Sequence, residues 1–509
     1  MEQSSPAATV STTGACQNCR EKHLKCDGNL AGCSRCSNLR LFCHYVPSRR
    51  GRRAQLAPMA DYPIPPVVDV LASPSLALGT FSPSCLLDPP PVPSRASSHL
   101  VAIYYLHFHP AHPFLPPHHV LTQSAPPSFV LDLIEFISLH YLPSHVVTDC
   151  TGDLRAAVQD AEPSLEKAQA YLLLSIIQHA RQQPRDAKEC LAEAIRCSVE
   201  IGLHCREFAD VLEMQNPVRA ESARRTCWEI FTIDALLAAV QFQGALQFNL
   251  DTPDVLLPCE EDRYNENRLP GTARTVGDLG IDGMFSEPED LSSFAYRIEA
   301  AIILRRCFLA SETQMLQDSL HALDATISAW FHRLPSWKRA VLQPNGELNE
   351  LDFQATMIMH CASIYLHFPK SCLPRFLPHM SQIFCSGPPA FESTSAFPQI
   401  HTAKVVAAAV NLSKLASLST SVMNHSPFFA CTLVLSSVIQ LAVLTTHTQQ
   451  LASHRPFLTL NMGVLKSMGD IWTIAATSKE RLREVALEVE AAFSGRPRGL
   501  LESQWILSV

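Results

Sequence analysis

Between about His99 and Phe493 apolar residues recur three and four positions apart, the spacing that lays a stripe along one face of an α-helix. It predicts helices over Leu165–Gln182 (LEKAQAYLLLSIIQHARQ), Ala187–Leu203 and Arg219–Val240, separated by proline-bearing loops. Alternation with a period of two, the mark of a half-buried strand, is scarce. The run Pro427–Thr445 (PFFACTLVLSSVIQLAVLT) approaches the length of a bilayer span, but Thr432, Ser436, Ser437 and Gln440 interrupt it and no Lys or Arg brackets it. A buried core helix is therefore expected there. Two stretches rich in Gly, Pro and polar residues, Pro258–Gly283 and Pro369–Pro398, are too long for simple connections. Met284–Leu291 (MFSEPEDL) mixes acidic and apolar side chains as activation segments do, a solvated helix start being the plainer reading.

Upstream the helical pattern stops. Ala54–Ser98 holds ten prolines and seven serines in 45 residues, the composition of an extended, disordered linker. No heptad survives Pro58, Pro63, Pro65 and Pro66, so no dimerising coiled coil is expected in it.

A chain of 509 residues with 47% hydrophobic side chains is long enough for more than one folded unit and for a large core. The net charge of −8 conceals an asymmetry: residues 14–53 carry nine Lys or Arg against Glu21 and Asp27, a local +7, leaving −15 on the rest. A small basic face on an acidic body suits contact with a polyanion through that face alone.

That basic face coincides with six cysteines in two identical halves, Cys16/Cys19/Cys26 and Cys33/Cys36/Cys43, each spaced C-x2-C-x6-C. Two tetrahedral zinc ions need eight ligand bonds, which six thiolates supply if two sulfurs bridge both metals. A disulfide framework would need an oxidising compartment, and the opening MEQSSPAATVSTTGACQ has no basic run followed by an apolar one to direct secretion. Closed sulfur shells leave no place for water, so the expected role is structural: two zinc ions per chain, with folding of residues 16–43 drawing on about 10–16 kcal/mol of metal binding. The other twelve cysteines form no C-x-x-C pair and read as buried thiols. The histidines 107, 109, 112, 118 and 119, interleaved with prolines, are not expected to form a second metal site. No HExxH, GxSxG, P-loop or dinucleotide fingerprint occurs, so an enzyme has no anchor in the sequence.

The stretch Cys19-Arg20-Glu21-Lys22-His23-Leu24-Lys25-Cys26-Asp27, closed by Cys43-His44-Tyr45, resembles the fungal binuclear-cluster (Zn2Cys6) DNA-binding domain of the yeast galactose-regulator type. The resemblance implies that Cys16 and Cys33 are the bridging sulfurs. It also implies that a short helix after Cys19 enters the major groove of double-stranded DNA, with Lys22 and His23 at the base-reading positions for C-G-containing half-sites. At the second position the family normally has Lys or Arg; histidine is a shorter, mostly neutral donor that reaches a base edge but does not neutralise phosphate. Arg20, Lys25 and the arm Ser48–Arg53, with Arg49, Arg50, Arg52 and Arg53, suit phosphate contact, minor-groove insertion or nuclear import. The combination C-x-Y-x-x-S-R-R-G-R at Cys43–Arg52 resembles the subset that regulates secondary-metabolite gene clusters, the aflatoxin regulator among them.

The helical body resembles the large regulatory region that follows the cluster in fungal transcription factors. Tyr104–Pro116 matches its opening segment, Ala194–His204 its helix ending in G-L-H, Arg224–Asp234 its R-R-x-x-W-x-x-x-x-x-D helix, Leu257–Tyr264 the loop after it, and Leu460–Ala476 its last helices. Trp228, Ile230, Phe231 and Ile233 fall at core spacing, and Arg224 and Arg225 are expected to snorkel or to pair with acids such as Asp234 or Glu229.

The expected fold class is mainly α: a tail (1–13), a small two-zinc six-cysteine module (14–47), a basic arm and disordered Pro-rich linker (48–98), a large all-helical regulatory domain (99–493) and a C-terminal tail (494–509). The expected function is that of a nuclear, zinc-dependent, sequence-specific transcription factor for RNA polymerase II genes. Its partners would be DNA and the transcription machinery or co-regulators, with no membrane, and a homodimer would have to form without a coiled coil. The alternatives are a body that senses a small molecule, and an enzyme with a DNA anchor, the latter predicting polar residues converging in a pocket where a scaffold would have apolar ones.

Overall fold

The second of two compact units, Pro89–Val509, is built on a helix with no solvent face. In this computed structural model the described residues are 19, 22, 24–27, 33–39 and 95–494, except 143–146, 241–244, 249–251, 268–273, 280–290, 313–316, 340, 343–345, 374–384, 386–394, 396, 419–420 and 447–450. The basic arm, almost all of the linker, the segment 284–290 and the tail beyond 494 lie outside them.

In the first unit, Met1–Asp88, the described helix is α1 (Ser34–Asn38). The first described helix of the second unit is α2 (Arg95–Ile103), which starts four residues before His99. A π-turn (Tyr104–Phe108) and a 3-10 turn (His109–Ala111) carry the chain on to α3 (His118–Gln123), α4 (Ser128–Leu139) and α5 (Thr151–Gln159). There follow α6 (Leu165–Ala180), α7 (Pro184–Glu200), α8 (Arg206–Glu213), α9 (Pro217–Val240) and the short α10 (Glu261–Asn265). The remainder is α11 (Ser293–Glu312), α12 (Gln317–Arg333), α13 (Ser336–Arg339), α14 (Glu350–His367), α15 (Pro398–Leu415), α16 (Phe428–Thr446), α17 (Leu451–Gly469) and α18 (Thr473–Ser494). Among the described residues β pairing is limited to the isolated bridges Cys205–Asp254 and Leu342–Leu348.

Local chemistry sets the helix ends. Ser164 accepts the Lys167 amide at 3.2 Å and starts α6. Asn216 accepts from Arg219 N at 3.0 Å, and Pro217 follows at the first helical position of α9. The G-L-H end of α7 is a Schellman closure, in which Gly202 takes φ +76°, its amide bonds Val199 O at 3.1 Å and Leu203 N bonds Ser198 O at 2.8 Å. Leu203 is then delivered into the core at 2% exposure.

Helix α9 is buried on every side from Ala220 to Ala239, so its sequence shows little amphipathic bias. Helices α6 and α7 form an antiparallel pair. Helices α11 and α14 lie side by side in parallel, Asn349 bonding Ser293 at their N-terminal ends and Phe308 packing on Tyr365 toward their C-terminal ends, and α14 to α18 pack each on the next in chain order. The apolar run Phe428–Thr445 is 94% buried inside this stack. Its hydroxyl interruptions are satisfied within the protein: Thr432 Oγ1 donates to Phe429 O at 2.9 Å, Ser436 Oγ to Ala409 O at 2.8 Å and Ser437 Oγ to Leu433 O at 2.7 Å, while Gln440 accepts from His454 through its amide oxygen.

Candidate metal and DNA-binding site

The described core of the first unit is made of sulfur. Cys19, Cys33 and Cys36 are fully buried with Cys26 packed against them, and no aliphatic or aromatic side chain joins the cluster among the described residues. The sulfurs of Cys19, Cys26 and Cys33 all lie within 4.8 Å of one another, and Cys19 Sγ is 3.8 Å from Cys33 Sγ. Two thiolates bonded at about 2.3 Å to one tetrahedral ion stand about 3.8 Å apart, so the donor set fits zinc. Free thiols have no reason to converge without an apolar core; a shared cation supplies one. Cys16 and Cys43 lie outside the described residues.

Two backbone features shape the module. Leu24 N bonds Cys19 O at 2.8 Å, turning the chain between Cys19 and Cys26. The Asp27 carboxylate accepts Ser34 N through both oxygens at 3.1 and 3.0 Å, and the Ser34 hydroxyl as well, which ties the end of the first half to the start of α1. Asp27 was visible in the sequence only as the residue after Cys26; its cap needs the tertiary turn. Lys22 and Lys25 are exposed, as groups that meet a polyanion must be. Arg20, His23, Arg49, Arg50, Arg52 and Arg53 lie outside the described residues; of the helix expected between Cys19 and Cys26, the described Lys22 is in a turn and Leu24 and Lys25 are in no regular structure.

In the second unit, three of the sequence stretches singled out above meet at Arg225. Its guanidinium donates to Glu221 Oε1 at 3.1 Å, to Pro113 O and Cys259 O at 3.0 Å each, and to Glu261, and it lies 4.0 Å over the Tyr264 ring. Burial alone would raise the Glu261 carboxyl, but Arg225 and His109 hold it down at about 2. Arg224 pairs with Glu213 and Glu221. The expected acids are therefore corrected: long helical side chains lean toward the N-terminus, so Arg225 reaches back to Glu221. Glu229 is taken by Arg297 and by His112 Nδ1 at 2.7 Å, and Asp234 by Arg305 at 2.6 Å. The i, i+4 spacing announced Glu221; nothing local announced Arg297 or Arg305, which arrive on α11.

The five histidines at 107–119 do not gather around a metal position. His107 bonds Asn424 at 2.9 Å, His112 bridges Glu229 and Ser426, and His118 stacks on Tyr105. His109 and His118 instead line an open cavity of about 790 Å³ with Tyr105, Glu261, Glu350 and His425. The lining mixes polar and apolar surface, and two of its acids are engaged: Glu350 holds His425 Nδ1 at 2.8 Å and Gln354 at 3.1 Å, and Glu261 holds Arg225.

Comparison with known proteins places both units. Residues 14–53 match the fungal Zn(2)-Cys(6) binuclear cluster domain, and residues 101–338 match the fungal specific transcription factor domain. The chain is 28% identical over 541 aligned positions, 93% of its own length and 80% of the relative's, to the C6 finger domain transcription factor iacK of Pestalotiopsis fici. Over 56 positions, 10% of this chain and 13% of the other, it is 45% identical to the transcription factor rglT of Emericella nidulans. No solved structure matches the chain.

Proposed function

We propose, for a chain that belongs to the fungal Zn(2)-Cys(6) transcription factors, a DNA-reading mechanism in which Cys16, Cys19, Cys26, Cys33, Cys36 and Cys43 hold two zinc ions and Cys16 and Cys33 bridge them. The family implies DNA binding and a nuclear location. The observation that carries the proposal is the buried sulfur cluster, with Cys19 and Cys33 at the separation two ligands of one ion require. Zinc, when bound, supplies the cross-links that replace a hydrophobic core. Lys22 and His23 then face base edges, while Arg20, Lys25, Arg49, Arg50, Arg52 and Arg53 contact phosphates and set the affinity's salt dependence.

The function that follows is pathway-specific activation of RNA polymerase II genes in a secondary-metabolite cluster, supported by the likeness of the arm and by a full-length relative that is itself a C6 finger transcription factor. Binding-site selection on random duplex DNA, at fixed salt and with and without a zinc chelator, tests the DNA-reading step. A chelator-sensitive motif containing C-G half-sites is expected, and no enrichment would sink it. The regulatory step fails if deleting the gene leaves transcripts of every neighbouring biosynthetic cluster unchanged. A second reading, favoured by the cavity beside His109 and Glu350, gives the helical body an effector to sense. It predicts that a metabolite of the regulated pathway raises the body's melting temperature and that Glu350→Gln abolishes the shift.

A further inference from the structure

Three reactive groups from three parts of the second unit meet in its otherwise apolar interior. Cys431, in the first turn of α16, has its sulfur 2.7 Å from that of Cys385 and 3.3 Å from His179 Nε2 at the end of α6. Cys431 is 2% exposed, Cys385 4% and His179 fully buried. The His179 ring is held by stacking on Phe428, one turn before Cys431, with centroids 4.4 Å apart. Cys385 sits at φ +64°, a left-handed backbone that a side-chain-bearing residue keeps only where its surroundings impose it.

The separation discriminates between two uses of such a group. Non-bonded heavy atoms rest about 3.5–4.0 Å apart, so these sulfurs are pressed toward bonding distance. Two thiolates on a shared tetrahedral zinc would stand about 3.8 Å apart, as Cys19 and Cys33 do. The two thiols are also unequal. Burial would raise both, and Cys385 is raised, but the hydrogen bond from Cys385 and the adjacent His179 draw Cys431 below the usual thiol range. A low thiolate beside a protonated thiol is the arrangement of an attacking and a resolving cysteine.

We propose that Cys431 and Cys385 form a reversible oxidation site, a thiol pair that a peroxide converts to a disulfide while His179 positions the Cys431 sulfur. The Cys431 thiolate attacks one peroxide oxygen; an S–O bond forms, the O–O bond breaks, and the leaving hydroxide takes up the proton that the Cys431 thiol gave up on ionising, departing as water. The Cys385 sulfur then attacks the Cys431 sulfur, an S–S bond forms, the S–O bond breaks, and the second hydroxide leaves with the Cys385 proton. Two thiols and one peroxide give one disulfide and two waters, the two electrons passing from sulfur to oxygen. A peroxide, unlike a protein oxidant, is small enough to reach sulfurs this enclosed. The bridge would fasten α16 to the connection between α14 and α15.

The test uses the full-length, zinc-loaded protein, reduced and then treated with hydrogen peroxide. Free thiols are blocked under denaturing conditions and the peptides mapped by mass. A Cys385–Cys431 linked peptide, lost on treatment with dithiothreitol, is expected, with a melting temperature several degrees above that of the reduced protein. Cys385→Ser removes the link and leaves Cys431 to react with a sulfenic-acid probe. Alkylation of both cysteines after peroxide, or linkage of Cys431 to the neighbouring buried Cys361, overturns the proposal. So does a third zinc ion per chain that Cys431→Ser removes. If Cys385→Ser does not fold, the wild-type peptide map decides alone.

Discussion

Replacing Glu229 by Gln keeps the shape of a side chain at the centre of the second unit and removes its charge. Glu229 and Arg297 are both fully buried, Arg297 Nη2 donates to Glu229 Oε1 at 3.0 Å with Nη1 on the other oxygen, and His112 donates to the same carboxylate. Burial acting alone would raise this carboxyl, but Arg297 and His112 hold it at about 2 against an ordinary 4.5, a difference on the order of 3 kcal/mol at neutral pH. Breaking a buried pair from one side costs about 3–5 kcal/mol by a separate argument, because the surviving guanidinium stays out of water uncompensated. The two routes agree. At about 2.1 cal/mol/K per residue, a body of about 400 residues loses about 1.2 °C per kcal/mol, so Glu229→Gln should lower the melting temperature by about 4 °C. The folded carboxyl is depressed, so this contribution is present above about pH 4.5 and disappears as pH falls toward 2. The assay is a thermal melt of the full-length protein at pH 7, run beside Arg297→Met and the double variant Glu229→Met/Arg297→Met. The double variant should recover most of the loss, since replacing both charges by apolar groups of similar volume leaves none stranded. A Glu229→Gln shift below about 1 °C, or a double-variant loss equal to the sum of the single ones, would refute the reasoning.

Chelating zinc should abolish DNA binding while leaving the far-ultraviolet helical signal within about a tenth of its starting value, because the described helices of the second unit hold no site of the cluster; a collapse of that signal would contradict this. Burial holds His140, His360 and His367 at about 4 against an ordinary 6.5, so the folded state binds fewer protons than the unfolded one between those values. Stability should be full above about pH 6.5 and fall as pH drops toward 4, and a melting temperature flat across that window would count against buried neutral imidazoles. Glu299 runs the other way: burial outweighs Arg333 and raises its carboxyl to about 7, so its contribution is present below about pH 4.5 and lost as pH rises through 7. Glu299→Gln should therefore raise the melting temperature at pH 8 more than at pH 5. At the turn from α17 to α18, a Cβ on Gly469 would stand 3.1 Å from the Ala476 backbone, so Gly469→Val should cost about 1–3 kcal/mol. Gly463, with nothing within 4 Å, should by contrast gain about 1 kcal/mol as Ala; equal effects at the two sites would show that packing is not the cause.

The sequence by itself determined what depends on near neighbours along the chain. Doubled C-x2-C-x6-C spacing is the basis for proposing ligands of a shared metal, because a chelate is a matter of how far the backbone reaches between donors, and the structure brings the sulfurs of Cys19, Cys26 and Cys33 within 4.8 Å of one another. Helical periodicity and the caps at Ser164, Asn216 and Gly202 likewise act within one turn, so α6, α7 and α9 appear in the structure within a few residues of where the pattern put them. The polar breaks in Pro427–Thr445 already argued for a core helix. Tertiary structure alone decided which charge meets which. Arg225 finds Pro113, Cys259 and Glu261, and Glu229 finds Arg297, because α9 is buried on all sides and each polar group on it must take a partner from whichever element packs there. The meeting of His179, Cys385 and Cys431 is of the same kind: members separated by as many as 252 positions are brought together by the stacking of α16 on the rest, and no spacing along the chain foretells it.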